Sequence, residues 1–434
     1  MSQSELLLPA GSFDHVRYAL AYGADAVYAG QPRYSLRVRN NDFSQPSEIK
    51  KAIDYCHAQG KRFYLVVNIA PHNSKIHTFL DDMAKVIELN PDALIMSDPG
   101  LIMMVRDEWP DVPIHLSVQA NTVNFKAVEF WQRQGISRVI LSRELSLDEI
   151  SDIREQCPEM ELEVFVHGAL CIAYSGRCLL SGYMNRRDPN QGTCTNACRW
   201  DYQVVEAKED ATGDLIAKSQ GSVALAEPAL IADRNKPDEL MPVDEDEHGT
   251  YIMNSKDLRA IEHVERLLGM GVHSLKVEGR TKSVFYVARV TQAYRKAIDL
   301  AAKGQLFDPA LLYQLDSLAN RGYTDGFLQR HKPQQLQNYE QGYSLPTQQQ
   351  YVGQALDVLD GGLLIDVKNR FAVGDEMELM LPSGNHRFIL QELSDRQAQS
   401  IAVAKGSGHQ VLLPLPFDIE PEEVPVALLL KTLG

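Results

Sequence analysis

Short apolar runs recur along the first two thirds of the chain, each followed by a stretch whose apolar positions return every three or four residues. Ser4 to Pro9, Ala24 to Ala29, Lys61 to Asn68, Asp92 to Ser97, Pro113 to Gln119, Ser137 to Ser142 and Glu161 to Val166 read as strands, and Val272 to Val277 as an eighth. These runs are almost wholly apolar, as strands covered on both faces are. Helical spacing appears over Phe13 to Tyr22, Pro46 to Gln59, Thr78 to Leu89, Leu101 to Glu108, Lys126 to Gly135, Ser146 to Gln156, Asp257 to Met270 and Ser283 to Lys303. Strands alternating with helices mean parallel βαβ units. Eight of them over about 300 residues predict an α/β fold of the (β/α)8, TIM-like barrel type. The competing open, doubly wound sheet needs a G-x-G-x-x-G turn after its first strand, and L-L-L-P-A-G-S-F-D is not one.

Two regions break the rhythm. A cysteine-rich and acidic insertion, about 169–250, follows strand seven of a barrel spanning 1–305. A helical connector and Gln-rich linker, 306–347, leads to 348–434, where short alternating runs are separated by D-G-G, K-N-R, P-S-G and K-G-S-G. That pattern predicts a small all-β, barrel-like domain.

Charge changes the picture only when it is located. The 434 residues carry a formal net charge of -15, which argues against a generic basic nucleic-acid coat. Residues 206–250 hold 12 acidic and 4 basic residues, and residues 348–434 hold 12 and 6, so the barrel body is nearly neutral. A locally basic site for RNA is therefore compatible with the acidic average. No apolar run is long enough to span a bilayer, and the N-terminus does not read as a secretory signal, so a cytoplasmic protein without membrane or DNA partners is expected.

In a (β/α)8 barrel the chemistry sits where the strands end. Those positions carry Arg33, Arg37 and Arg39 after the second strand, Asn68 after the third, and Ser97 and Asp98 after the fourth. Gln119 and Asn121 follow the fifth, Arg143 and Glu144 the sixth, His167 the seventh, and Lys276, Glu278 and Arg280 the eighth. Cations converging from several strand ends need an anion, either a carboxylate metabolite, a nucleic-acid phosphate or both. Arg37, Arg39, Asn68, Gln119, Asn121, Arg143, Lys276, Glu278 and Arg280 are thus candidate substrate-binding residues. Glu144 and Glu278 could instead neutralise the cations internally. His167 and Glu144 are the candidate catalytic groups, although a core histidine would fit the same position.

Cys171, Cys178, Cys194 and Cys198 concentrate in one segment, among small residues that let backbone approach a bulky group. Four thiolates can ligate an iron–sulfur cluster or zinc. The spacing departs from the paired C-x-x-C of zinc ribbons, which favours the cluster, and unligated buried cysteines are the third reading. Cys56 and Cys157 fall in helical patterns and read as small core residues. Hydrolytic motifs are missing: there is no H-E-x-x-H, no G-x-S-x-G and no P-loop. A cysteine nucleophile paired with His167 is conceivable, but four neighbouring cysteines fit a metal role more economically.

The segment E-V-F-V-H-G-A-L-C-I-A-Y-S-G-R-C-L-L-S-G, residues 163–182, resembles the collagenase-like (U32) peptidase family. S-L-R-V-R-N-N, N-I-A-P-H-N, S-V-Q-A-N, S-R-E-L-S, G-T-C-T-N-A-C-R-W, Y-I-M-N-S-K-D-L and K-V-E-G-R-T-K look like its tRNA-hydroxylating branch. The resemblance implies a [4Fe-4S] cluster on Cys171, Cys178, Cys194 and Cys198. It also implies prephenate-dependent hydroxylation of the wobble uridine in the tRNA anticodon to 5-hydroxyuridine. The same family leaves two alternatives, a collagenase-like protease and a cluster-carrying subunit of a hydroxylation complex.

Overall fold

The structure is a computed structural model that describes residues 4–36, 41–171, 173–178, 180–181, 187–195, 255–279, 282–329, 348–359 and 362–433. For 207–209, 215–217, 229–233, 236–246 and 249–251 it describes the strand backbone alone. Arg37, Arg39, Cys198 and Arg280 lie outside the described residues.

Eight parallel strands close into a barrel: β1 (Glu5–Pro9), β2 (Ala26–Gly30), β3 (Arg62–Val67), β4 (Ala93–Met96), β5 (Ile114–Leu116), β6 (Arg138–Ile140), β7 (Glu161–Ala169) and β8 (Ser274–Val277). The ring closes at β8, where Leu275 pairs with Leu6 of β1 on one side and Val164 of β7 on the other. Leu6, Leu7 and Leu8 are all sealed from solvent, because β1 is covered from inside the ring and by helices outside.

The principal helices flanking the barrel are α1 (Phe13–Ala21), α2 (Pro46–Ala58), α3 (Phe79–Ile87), α4 (Pro99–Glu108), α5 (Phe125–Arg133), α6 (Leu147–Gln156), α7 (Val264–Gly269) and α8 (Val284–Ala302). Ser12, Asp98, Asn124, Ser146 and Ser283 cap α1, α4, α5, α6 and α8, each side chain accepting a backbone N–H of the first turn. Such a cap is worth about 1 kcal/mol and fixes where each helix leaves the βα loop.

Three elements depart from the sequence pattern. β5 stops at Leu116, and Val118–Ala120 forms a 3-10 turn ending at Asn121, whose φ of 53° is left-handed. β7 continues past Val166 to Ala169. Asp257 to Met270 is not one helix: it opens as a strand, Asp257–Arg259, antiparallel to the end of β7, with Leu258 opposite Gly168. The spacing of Leu258, Ile261, Val264 and Leu267 satisfies a helix, but pairing with β7 takes the first of these into the sheet.

Charges fill the barrel toward the N-terminal ends of its strands. Arg138 donates to Glu5 at 2.6 Å, Glu161 at 2.8 Å and Glu163 at 3.2 Å, while Lys276 reaches Glu163 at 2.7 Å. Burial opposes ionisation of Glu163, but Lys276 and Arg138 outweigh it and hold the carboxyl below its ordinary value. Tyr64 donates to Glu5 at 2.6 Å and its ring meets His115 edge-on at 4.7 Å.

The C-terminal region is an antiparallel sheet built from β9 (Gln349–Leu359), β10 (Gly362–Val367), β11 (Glu376–Met380), β12 (Asn385–Ile389), β13 (Gln410–Leu413) and β14 (Leu428–Thr432). Its strand order is β12-β11-β14-β9-β10-β13, followed by the short strand Ser394–Asp395. It sits against α1 and α8: buried Arg289 of α8 donates to Glu378 of β11 at 2.6 Å and Gln349 of β9 at 3.2 Å. Tyr22 donates to the Met380 carbonyl at 2.9 Å.

Candidate active site

At the opposite end of the barrel, the polar residues after β3, β4 and β5 form one hydrogen-bonded rim. Asn68 accepts the Leu36 N–H at 3.2 Å and donates to Ser117 Oγ at 3.2 Å, while Ser97 donates to the Asn68 carbonyl at 3.1 Å. Ser117 accepts the Gln119 N–H at 3.4 Å. The left-handed Asn121 turns its amide back onto the Gln119 carbonyl at 2.9 Å and outward onto the Ser175 carbonyl at 2.6 Å. Asn68, Gln119 and Asn121, predicted together, are brought together.

That outward bond places the cysteine-bearing segment. Ala70 donates its N–H to the Asn190 carbonyl at 3.1 Å, Gln191 returns an amide bond to the Ala70 carbonyl, and Asn190 donates to the Cys178 carbonyl at 3.1 Å. The described parts of 173–195 are therefore tied to the ends of β3 and β5. Gly176 has a φ of 72°, where a side chain is strained, and a Cβ there would stand 2.6 Å from Gln119 Oε1, so a larger residue would displace the carboxamide. Between the strand ends and the segment lies a cavity of about 320 Å³, whose walls include Asn68, Ser97, Asp98, Gln119, Trp131 and Arg177.

Cys171 lies two residues beyond β7 and is exposed, Cys178 and Cys194 are half-buried, and none of these three is in a disulfide. Ser181 Oγ points to Cys194 Sγ at 3.9 Å and accepts the Thr195 N–H at 3.2 Å. Among the described residues no three Cys, His, Asp or Glu side chains are grouped to hold a metal ion. The donor chemistry nonetheless fits a cluster: three uncrosslinked, accessible thiols, with the fourth candidate, Cys198, four residues beyond Cys194. Cys56 and Cys157 are buried core residues, and burial pushes the Cys56 thiol up to about 12, which leaves it inert.

The remaining predicted residues fall elsewhere. Arg143 lies over the Phe165 ring at 4.0 Å, donates to the Ala169 carbonyl at 3.3 Å and faces Glu278 at 3.5 Å. This is the internal neutralisation that the sequence left open. Ser142 hydrogen-bonds Glu144. Lys276 does not stand free at the mouth; its ammonium points into the barrel, against Glu163 and 4.5 Å from the Tyr28 ring centre. A charged residue near a strand's end suggests the mouth, but the place of Lys276 on the inward face sends its side chain into the barrel.

His167 is fully buried against Tyr286 and Tyr294 of α8 and Tyr323, with ring centroids 5.5–5.8 Å away. Burial, helped by Arg259 and Lys282 and opposed by Asp257, drops its pKa to about 3, so it is neutral at physiological pH. The pairing of β8 with β7 shifts register here, between Lys276 opposite Phe165 and Val277 opposite His167.

Sequence reasoning missed Trp131 and Arg177 at the cavity and the Glu163–Arg138 pair inside the barrel. The signal for the pair is present: two glutamates in the run E-L-E-V-F-V and one basic residue each in S-R-V-I and S-L-K-V. The cavity residues carry no comparable signal, because contact between the segment and the strand ends is tertiary.

Fold and site together define a (β/α)8-barrel protein with a cysteine-bearing segment tied across part of its mouth and a C-terminal antiparallel sheet. The chain belongs to peptidase family U32, whose model matches residues 11–338, and the U32 C-terminal domain model matches residues 347–428. It is 59% identical over 433 residues to the tRNA hydroxylation protein P of Escherichia coli (strain K12), covering 97% of this chain and 95% of that protein. Identity to the protein of the same name from Haemophilus influenzae (strain ATCC 51907 / DSM 11121 / KW20 / Rd) is 55% over 446 residues, covering 99% and 96%. A collagenase of Porphyromonas gingivalis (strain ATCC BAA-308 / W83) is 26% identical over 438 residues, covering 96% of both.

Proposed function

We propose that this protein hydroxylates tRNA, converting the wobble uridine to 5-hydroxyuridine with prephenate as cosubstrate. Near-full-length identity of 59% to a relative named for tRNA hydroxylation carries the reading. Cys171, Cys178, Cys194 and Cys198 would hold an iron–sulfur cluster, which supplies electron-transfer or Lewis-acid chemistry when bound. The chain's own contribution is placement. Asn121 and Asn190 tie the cysteine segment to the strand ends, so a base drawn from an anticodon loop enters beside it. With Arg143 paired to Glu278, the arginines of 37, 39 and 280 are the candidate partners for prephenate carboxylates or tRNA phosphates.

Nucleoside mass spectrometry of tRNA tests this reading. A deletion strain that also lacks any oxygen-dependent route should lose 5-hydroxyuridine and its derivatives, and unchanged levels would refute it. Anaerobically purified protein should be brown and contain iron and sulfide, and Cys171→Ala should lose the colour. A colourless protein with one zinc per chain would overturn the cluster.

The protease reading has the family name and the collagenase relative in its favour. Against it, His167 faces the Tyr294 hydroxyl at 3.4 Å rather than standing open to a substrate. Peptide cleavage by the purified protein, abolished in Cys171→Ala, would support it. A third role, as the cluster-carrying subunit of a hydroxylation complex, is refuted if the isolated protein modifies tRNA.

A further inference from the structure

The cavity between the ends of β3, β4 and β5 and the cysteine segment is about 320 Å³, within the range of small-ligand pockets. Most polar groups on its walls already have internal tasks. Both amide atoms of Asn68 are engaged, Asn190 is bonded to Cys178, and Asp98 caps α4 through Leu101 N at 2.9 Å. Gln119 differs: its carboxamide makes no hydrogen bond among the described residues. Its Oε1 is sealed against Gly176, which leaves the Nε2 donor to the cavity. Arg177, exposed at the rim, forms no ion pair among the described residues. Trp131 adds an indole wall, half-buried against the core.

One outward donor, one flat apolar wall and one cation at the rim are the complement of a planar heterocycle that carries a carbonyl and is linked to a phosphate. A small dicarboxylate suits the cavity less, since it would meet the Asp98 carboxylate with one guanidinium to balance two charges. We infer that this cavity receives the target nucleotide of an RNA loop, with Gln119 donating to the base carbonyl, Trp131 stacking on the ring and Arg177 pairing with a flanking phosphate. Uracil has an oxygen at carbon four where cytosine has an amino group, so a donor at Gln119 selects uracil. Gly176 keeps the carboxamide in place, which makes the cysteine segment part of the specificity device. The assignment rests on the tRNA reading above and names the residues that would read the base.

The experiment compares anticodon stem-loop RNAs carrying uridine or cytidine at the target position, bound to the full-length protein and followed by fluorescence anisotropy. Wild type should prefer uridine by about tenfold, the order expected of one well-placed base contact. Gln119→Leu should erase the preference, and Gln119→Glu, which offers only an acceptor, should shift it toward cytidine. Trp131→Ala should weaken both RNAs by about tenfold, as loss of one stacking partner does, with Trp131→Phe restoring most of the affinity. Arg177→Ala should weaken both equally and lower the salt dependence by about one phosphate contact. An unchanged preference in both Gln119 variants, with thermal melting intact, would overturn the assignment. So would loss of prephenate binding, rather than RNA binding, in Gln119→Leu and Arg177→Ala. The deletion strain separates the two levels: restored 5-hydroxyuridine with unaltered selectivity in Gln119→Leu sinks the pocket alone, whereas unchanged nucleosides after deletion sink the tRNA reading.

Discussion

The two ends of the barrel treat their polar side chains in opposite ways. Toward the N-terminal ends, Glu5, Arg138, Glu163 and Lys276 meet at 2.6–3.2 Å, each charge answered by another. At the mouth and just behind it, Gln119 Oε1, Asn121 Oδ1, Thr122 Oγ1, Arg143 Nε and His167 Nε2 are buried without a hydrogen-bond partner among the described residues. An unpaired buried polar atom is destabilising by about 1–3 kcal/mol. Except at His115 Nδ1, which is also buried without a partner among the described residues, the first end is arranged for stability, and the second retains polar groups whose partners the fold does not supply. Where a barrel must be both rigid and chemically available, this division lets each end serve one demand.

The comparison breaks most readily at Glu163. Glu163→Ala leaves Lys276 and Arg138 without their shared partner and should cost about 3–5 kcal/mol in urea unfolding. Replacing Glu163 and Lys276 together by Leu and Met should recover much of that loss. If Glu163→Ala were as stable as wild type, the paired end would not be the stabilising one.

A smaller effect should follow from pH. An unfolded histidine titrates near 6.5, whereas His167 stays neutral in the folded protein down to about 3. Between those values the unfolded chain binds a proton that the folded one refuses, so stability falls as pH falls. By pH 5 this single group should remove about 2 kcal/mol relative to neutral pH. His167→Gln should flatten the slope in paired urea midpoints at pH 7 and pH 5. His115, whose pKa burial also lowers, accounts for a remaining part of the slope.

Gly176→Ala should come next, at about 1–2 kcal/mol, because it combines a left-handed backbone with the approach to Gln119. Its effect on uridine selectivity should exceed what that loss of stability explains. Gln119→Leu should change stability least, by no more than about 0.5 kcal/mol, while removing selectivity. A large destabilisation there would make Gln119 a structural residue and erase the contrast between the ends.

Much of the barrel is legible in the sequence because strands covered on both faces are mostly apolar, and the eight runs are, apart from a few charges such as Arg138, Glu163 and Lys276 that pair inside the ring. The misreadings occur where tertiary pairing decides between two fits to one pattern. Leu258 satisfies the apolar spacing of a helix, but its place opposite Gly168 makes it a strand residue. Lys276 ends an apolar run in the manner of a mouth residue, but alternation turns it inward to Glu163. Cysteine clustering singles out a candidate segment. That Asn121 and Ala70 would anchor it is fixed by contacts between residues more than fifty positions apart.

The strand Asp257–Arg259 returns the chain to the strand from which it departed, with Asp257 paired to Ala169. Beyond the stretch 173–195, which Asn121 and Ala70 hold at the mouth, the chain has only to come back to this strand. Closing a longer excursion adds little entropic penalty, since each doubling of length costs only about 0.6 kcal/mol. Residues 206–250, which hold none of the cysteines, are thus a place where evolution, or an engineer, can lengthen, shorten or exchange sequence while the paired charges inside the barrel remain as they are.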